Sequence, residues 1–102
     1  MNKKTHPRVS FITVNYNGVN DTLNLLKTIF DSVSSFCFEV IVIDNASDGN
    51  EFEVILQRYP LVKGGYLSEN LGFAGGNNKG LELACGDYLY LVNNDTLLPG
   101  DA

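Results

Sequence analysis

The spacing of apolar positions switches between two periods along the chain. Val9-Ser-Phe-Ile-Thr-Val14 is rich in β-branched and aromatic residues and predicts a first strand. After the turn Asn17-Gly18, residues Leu23, Leu26, Phe30 and Val33 recur at helical spacing, with Asn20 placed to cap that helix. Phe38-Glu-Val-Ile-Val-Ile43 predicts a second strand, the most apolar and therefore central, covered on both faces. The turn-forming cluster Asp44-Asn-Ala-Ser-Asp-Gly49 leads into a short helix carrying Phe52, Ile55, Leu56 and Tyr59, stopped by Pro60. A weaker strand follows around Val62 to Leu67. Then comes a glycine-rich loop opening a helix through Leu81 and Ala84, a stop at Gly86, and a buried apolar strand, Tyr88-Leu-Tyr-Leu-Val92. No internal repeat or low-complexity linker interrupts the alternation.

Four strands alternating with three helices predict an α/β fold, a mostly parallel sheet with right-handed crossovers and flanking helices. In such sheets ligands bind beyond the carboxyl ends of the strands, where the strand order reverses. The polar clusters fall there. Asn15-Tyr-Asn17 ends the first strand, Asp44-Asn45 the second and Asn93-Asn-Asp95 the fourth, while the glycine-rich segment follows the third. Their convergence on one edge weighs more than any single motif.

Composition narrows the classes. The chain has 102 residues, 44% hydrophobic and 19% charged, which describes one globular domain at most. A chain of this size buries roughly two-thirds of its unfolded surface. The net charge of -5 and the lack of a basic stripe argue against binding a nucleic-acid backbone. Cys37 and Cys85 lie far apart without metal-ligand spacing and read as half-buried thiols in a reducing compartment. His6 reads as a solvated tail residue, and Glu39 and Lys27 as part of a solvated face. No apolar leader precedes the first strand and no stretch reaches membrane-spanning length, so a cytoplasmic setting is expected.

Each polar cluster admits two readings. Asp44 can accept hydrogen bonds from a nucleobase N–H or cap the turn, and Asp44-Asn-Ala-Ser47 offers groups to a sugar ring or makes Asx turns. Gly72-Phe-Ala-Gly-Gly76 is not GxGxxG, and Gly76-Asn-Asn-Lys-Gly80 is not a Walker loop. These glycines serve a tight loop and close packing, or a backbone approach to an anion at a helix N-terminus; Asn70, Asn77 and Asn78 nearby favour the ligand. Asp95 either ends a strand in an Asx turn before Pro99-Gly100 or gives one carboxylate to a hard cation. Substrate phosphates and water would complete that cation's shell, with Thr96 and the Asn93 amide in support. Tyr16, at a strand end, is placed to stack on a base, whereas Tyr88 and Tyr90 read as packing residues.

Val14-Asn-Tyr-Asn-Gly18, Val42-Ile-Asp-Asn-Ala-Ser47, Asn70-Leu-Gly-Phe-Ala-Gly-Gly-Asn-Asn-Lys-Gly80 and Leu91-Val-Asn-Asn-Asp-Thr96 occur in this order. Together they make the chain from Val9 onward resemble the nucleotide-binding half of family 2 inverting glycosyltransferases, especially the rhamnosyltransferase-like branch. The resemblance implies a GT-A fold, a Rossmann-like sheet binding a UDP- or dTDP-sugar. It implies a nucleotide-sugar-binding set of Val14, Tyr16, Asn17, Asp44, Ser47, Asn70, Gly75, Asn78 and Asn94. Within that set Tyr16 and Asn17 match the loop beside the base and Asp44 the aspartate that reads the pyrimidine. Asn70 and Asn78 match the loop lining the nucleotide and sugar pocket. Asn93-Asn94-Asp95 occupies the DXD position, whose last aspartate, Asp95, binds Mn2+ or Mg2+ bridging the diphosphate; Asn93 departs from the first acidic position.

The resemblance further implies a glycan or lipid-linked acceptor in cell-surface polysaccharide synthesis, with the enzyme peripheral to the inner face of the membrane. The family's catalytic base lies well downstream of the DXD position, and this chain ends at Ala102. A truncated donor-binding piece is therefore expected, with no catalytic residue of its own, inactive alone and prone to self-association through bare strand edges. The alternative is a non-catalytic nucleotide-binding or interaction module on the same sheet. A nucleotidyltransferase fits less well because Asn15-Tyr-Asn-Gly18 is not basic, and a receiver domain is disfavoured by Asn15, where an acidic pair is needed.

Overall fold

The computed structural model describes residues 7–32 and 37–98. Its elements are β1 (Val9–Asn15), α1 (Val19–Ser32), β2 (Phe38–Asp44), α2 (Glu51–Arg58), β3 (Lys63–Tyr66), α3 (Gly72–Leu83) and β4 (Tyr88–Leu91). The strands form one sheet in the order β3-β2-β1-β4, with every neighbouring pair parallel. The chain steps outward from β1 through β2 to β3, then returns to set β4 on the other side of β1. Strand order therefore reverses between β1 and β4.

Alternation along the strands divides the core in two. Phe11, Val40 and Val42 face Leu25, Leu26 and Ile29 of α1 and Ile55 of α2. Ile12, Ile41 and Ile43 face the other way, toward α3, and meet Leu67, Leu81 and Ala84. The strand β2 is thus central and buried on both sides, as the apolar run Val40 to Ile43 predicts. Each fully buried aliphatic side chain of this kind contributes roughly 1.5–3 kcal/mol.

The buried face of α1 is rotated from the predicted one. Thr22, Leu25, Leu26 and Ile29 point into the core, while Leu23 and Phe30 pack at its margin. Phe30 stacks on Tyr59 with ring centroids 5.3 Å apart. The helix starts at Val19, so Asn20 sits inside the first turn rather than at the cap. His6, Val33, Pro99 and Gly100 lie outside the described residues.

Helix replaces the expected glycine-rich loop. Gly72, Gly75, Gly76 and Gly80 all belong to α3, and the reason is packing distance. A Cβ on Gly80 would lie 2.4 Å from Ile12 Cγ2, and one on Gly76 would meet both Val14 methyls at 3.0 Å. Only a helix bare on this side can lie so close to β1. The helix ends at Leu83, ahead of Gly86, whose N–H donates to Ser10 Oγ (2.9 Å).

Two further expectations change. The strand β4 is an edge strand with all four side chains exposed, and burial is reached only at Val92, 7% exposed. A continuous apolar run signals a strand covered on both sides, but Tyr90 meets the Phe11 ring (5.5 Å) on one side while staying half exposed. Both cysteines are exposed rather than half-buried.

Glu39 is not solvated either. Its side chain is 10% exposed and accepts hydrogen bonds from Ser10 Oγ (2.6 Å), Lys63 Nζ (2.7 Å) and the Cys85 N–H (2.6 Å). This clasp ties β1, β2, β3 and the α3–β4 link at the amino edge of the sheet. Burial pushes the Glu39 carboxyl up, yet the bonds from Lys63, Ser10 and Cys85 outweigh it and hold it below its ordinary value. Lys27, by contrast, makes an exposed pair with Asp31 (2.6 Å).

Two outcomes follow from this packing. Gly80→Ala forces a methyl into Ile12 and lowers stability by roughly 1–3 kcal/mol; an unchanged urea midpoint contradicts the close approach. Because the folded carboxyl of Glu39 titrates low, its stabilisation is complete above the ordinary value of 4.5 and is lost as pH falls through the depressed one. Thermal melts across the acid range should therefore show a loss that Glu39→Gln removes.

Candidate functional site

At the opposite, carboxyl edge, the ends of β1 and β2 are joined by buried polar side chains. Asn15 and Asp44 are register partners, and both are 0% exposed. Asn15 Nδ2 donates its two hydrogens to Asp44 Oδ1 (2.8 Å) and Glu51 Oε1 (2.9 Å) and lies 3.3 Å from Ser47 Oγ, and Thr22 Oγ1 donates to Asn15 Oδ1 (2.6 Å). Ser47 Oγ donates to Asp44 Oδ1 (2.6 Å) and accepts from the Asn17 N–H (2.8 Å). Asn94 Nδ2, on the turn after β4, donates to Thr22 Oγ1 (3.2 Å). One buried amide thus gathers β2, α1, α2 and, through Thr22, the β4 turn.

Beside this network opens a cleft of about 460 Å3, lined by Val14, Tyr16, Asn45, Asn70, Gly72, Phe73, Asn93, Asn94 and Asp95. It lies where the strand order reverses, the position expected for a ligand in an open parallel sheet. Asn45 builds one wall: its Oδ1 accepts the Leu71 N–H (2.8 Å) and its Nδ2 donates to the Gly72 carbonyl (2.9 Å). The N-terminus of α3 is thereby pinned over the end of β2. Tyr16 and Phe73 present exposed aromatic rings. The far wall is the turn after β4, closed by the Thr96 N–H donating to the Asn93 carbonyl (3.0 Å). Among the described lining residues Asp95 is the sole charged side chain.

Of the predicted site residues, Val14, Tyr16, Asn70, Asn94 and Asp95 line the cleft. Asp44 and Ser47 are buried behind it and bonded to Asn15 and to each other, and neither lines the cleft. Asn17 adopts a left-handed backbone (φ 50°), accepts the Asp48 N–H (2.8 Å) and faces a separate hollow with Asn20 and Glu51. Asn78 is exposed on α3, Asn77 is buried, and Gly75 packs against Leu71; none lines the cleft. Asn45, read from the sequence only within the cluster that offers groups to a sugar ring, and Gly72, read only within the glycine-rich segment, also line the cleft; Phe73 was missed, although it is the one aromatic inside that segment. Thr22 and Glu51 were missed as network members. The only signal for Thr22 was a hydroxyl on an apolar helix face.

Among the described residues no group of three or more His, Cys, Asp or Glu gathers to form a metal cage. Asp95 and the Asn93 amide, on one turn, supply oxygen donors suited to a hard divalent cation. Such a set fits an ion shared with substrate phosphates and does not fit an all-protein site.

Solved structures share this architecture. TarS residues 1–349 from S. aureus superpose with a TM-score of 0.80 at 25% identity, covering 92% of this chain and 29% of that one. The mannosyltransferase PcManGT from Pyrobaculum calidifontis, solved with GDP-Man and Mn2+, gives 0.79 at 27% identity over 93% of this chain and 29% of that one. The fold is that of the nucleotide-binding half of a GT-A enzyme. The chain belongs to glycosyl transferase family 2, whose family model matches residues 10–102. A putative teichuronic acid biosynthesis glycosyltransferase, TuaG of Bacillus subtilis (strain 168), is 33% identical over 94 residues, 87% of this chain and 36% of that protein. The chain spans about a third of the length of the relatives it matches.

The network and the cleft respond differently to substitution. Asn15→Leu strands Asp44, Glu51 and Thr22 without their partner and lowers stability by roughly 3 kcal/mol. Asp95→Ala, on an exposed turn, changes it by less than about 0.5 kcal/mol. Urea unfolding that gives both variants the same cost contradicts the division.

Proposed function

We propose that the chain binds and orients the donor of a glycosyltransferase that moves a sugar from a nucleotide-diphosphate sugar to an acceptor hydroxyl in cell-surface polysaccharide synthesis. The observation that carries this reading is the electrostatics of the cleft. Among the described residues its wall holds a helix N-terminus, two aromatic rings and side-chain amides, but no Lys or Arg and one carboxylate, Asp95. A diphosphate entering alone meets only the partial positive charge of α3 and is repelled by Asp95. A divalent cation between them removes that conflict, so the wall favours a metal-bridged diphosphate over a bare one. TarS has been solved with UDP and with UDP-GlcNAc, and PcManGT with GDP-Man and Mn2+, which supports the same assignment.

In this reading Asp95 holds Mn2+ or Mg2+, Tyr16 and Phe73 offer faces to the base or sugar ring, and Asn45, Asn70 and Asn93 offer amides to hydroxyls. The bound cation would offset the charge that develops on the departing nucleoside diphosphate. Removing the acceptor's proton needs a base, and among the described cleft residues Asp95, already used for the cation, is the only carboxylate. This part of the enzyme therefore contributes donor binding rather than proton transfer. The motif order supports the finer reading as well: a UDP- or dTDP-sugar donor, an inverting reaction and the rhamnosyltransferase-like branch. A glycan or lipid-linked acceptor and a cytoplasmic setting at the inner membrane face go with it; no helix among the described residues is long and apolar enough to cross a membrane. The bare edge of β4, with Leu89 and Leu91 exposed, supports self-association of the isolated chain.

Calorimetry tests the central step. Uridine or deoxythymidine diphosphate should bind at least about tenfold more tightly with Mn2+ than without it, a difference near 1.4 kcal/mol, and Asp95→Ala should abolish that difference. A folded sample that binds neither nucleotide, with or without metal, contradicts the reading.

A further inference from the structure

We infer that Thr22 and Thr28, which do not line the cleft, are positioning residues that mount the Asp95 turn on α1; what the mounting does for a ligand rests on the donor-binding reading above. The turn follows an exposed edge strand whose last tie to the sheet is the Val92 N–H donating to the Ile12 carbonyl (2.9 Å). Beyond that point the chain is held by side chains of α1. Asn94 Nδ2 donates to Thr22 Oγ1 (3.2 Å) and, at 3.4 Å, to the Gly18 carbonyl just ahead of the helix. The Leu98 N–H donates to Thr28 Oγ1 (3.0 Å). Asp95 lies between these two fixings.

Each hydroxyl is oriented for the task. A threonine has one O–H to donate and lone pairs left to accept. Thr22 spends its hydrogen on Asn15 Oδ1 (2.6 Å) and Thr28 on the Leu25 carbonyl (2.8 Å), so both turn an acceptor toward the segment after β4. Thr22 is wholly buried and bound to an equally buried Asn15, which references the turn to the ends of β1 and β2. Gly18 leaves room for the approach, since a Cβ there would lie 2.9 Å from Asn94 Nδ2. A single carboxylate on a loose turn would have to be ordered when the cation and diphosphate arrive. Mounting the turn beforehand removes that cost from the binding step.

Amide hydrogen exchange on the 102-residue chain tests the mounting without any ligand. Thr22→Val and Thr28→Val should each speed exchange across residues 94–98 by roughly fivefold, the worth of one net hydrogen bond, with β2 and α3 amides unchanged. Thr22→Ser, which keeps the hydroxyl, should retain the wild-type rate. Thr28→Val leaves the Asn15 network intact and decides the case should Thr22→Val weaken the whole fold. Unchanged exchange at 94–98 in Thr28→Val, a rise spread evenly over the chain, or no rescue by Thr22→Ser overturns the proposal.

A second arm reads function. Thr28→Val should weaken uridine diphosphate binding several-fold in the presence of Mn2+ and leave the metal-free affinity alone. Equal weakening with and without metal, or none, overturns the proposed effect on the ligand. Should the wild-type chain bind no nucleotide, the donor-binding reading fails, while the exchange arm still decides whether the threonines hold the turn.

Discussion

Two central parallel strands end at the same level, and the polar groups that end them must find partners without water. Asn15 meets that constraint with a neutral amide that donates to Asp44 and Glu51 and accepts from Thr22. An amide has both donors and an acceptor, so it can stand between two carboxylates and a hydroxyl where a third carboxylate would be repelled and an ammonium or guanidinium would offer Thr22 no acceptor. Thr13 shows the other outcome. It lies two residues earlier on the same strand face, is equally buried, and its Oγ1 has no hydrogen-bond partner among the described residues. A lone buried hydroxyl costs roughly 1–3 kcal/mol, so polar burial in β1 is tolerated at one position and organised at the next.

The cleft is a consequence of that organisation. With β1 and β2 fixed at their ends and β4 placed across the reversal point, the segments after each strand have one shared space to enclose. The helix α3 closes one side because its glycines let it approach β1, and Asn45 holds its first turn in place. The turn after β4 closes the other side, held from α1. Charge is distributed in keeping with this. The Glu39–Lys63 pair is closed within the amino edge, whereas Asp95 at the carboxyl edge faces open space.

Much of this was legible in the residues themselves. The apolar run Val40 to Ile43 marked β2 as central, and strand-end clusters marked the edge where the cleft lies. Three kinds of feature were not legible. Whether an apolar strand is covered depends on its place in the sheet, so Tyr88 to Leu91 read as buried although they form an edge. Whether glycines bend a chain or thin a helix depends on what lies opposite, and Ile12 and Val14 decide it for α3. Whether a strand-end aspartate faces ligand or core depends on partners distant in sequence: Asp44 turns inward to Asn15, and Thr22 and Glu51 join from helices that carry no motif.

Where a nucleoside diphosphate settles on the chain distinguishes the carboxyl edge of the sheet from the amino edge. Amide chemical-shift mapping, with uridine diphosphate and Mg2+ titrated into isotopically labelled chain, measures that directly. The largest changes should fall on Tyr16, Asn45, Asn70, Phe73 and Asn93 to Asp95, with Glu39, Lys63 and Cys85 at the far edge unmoved. Changes centred on that far edge, or scattered over both, would contradict the donor-binding reading.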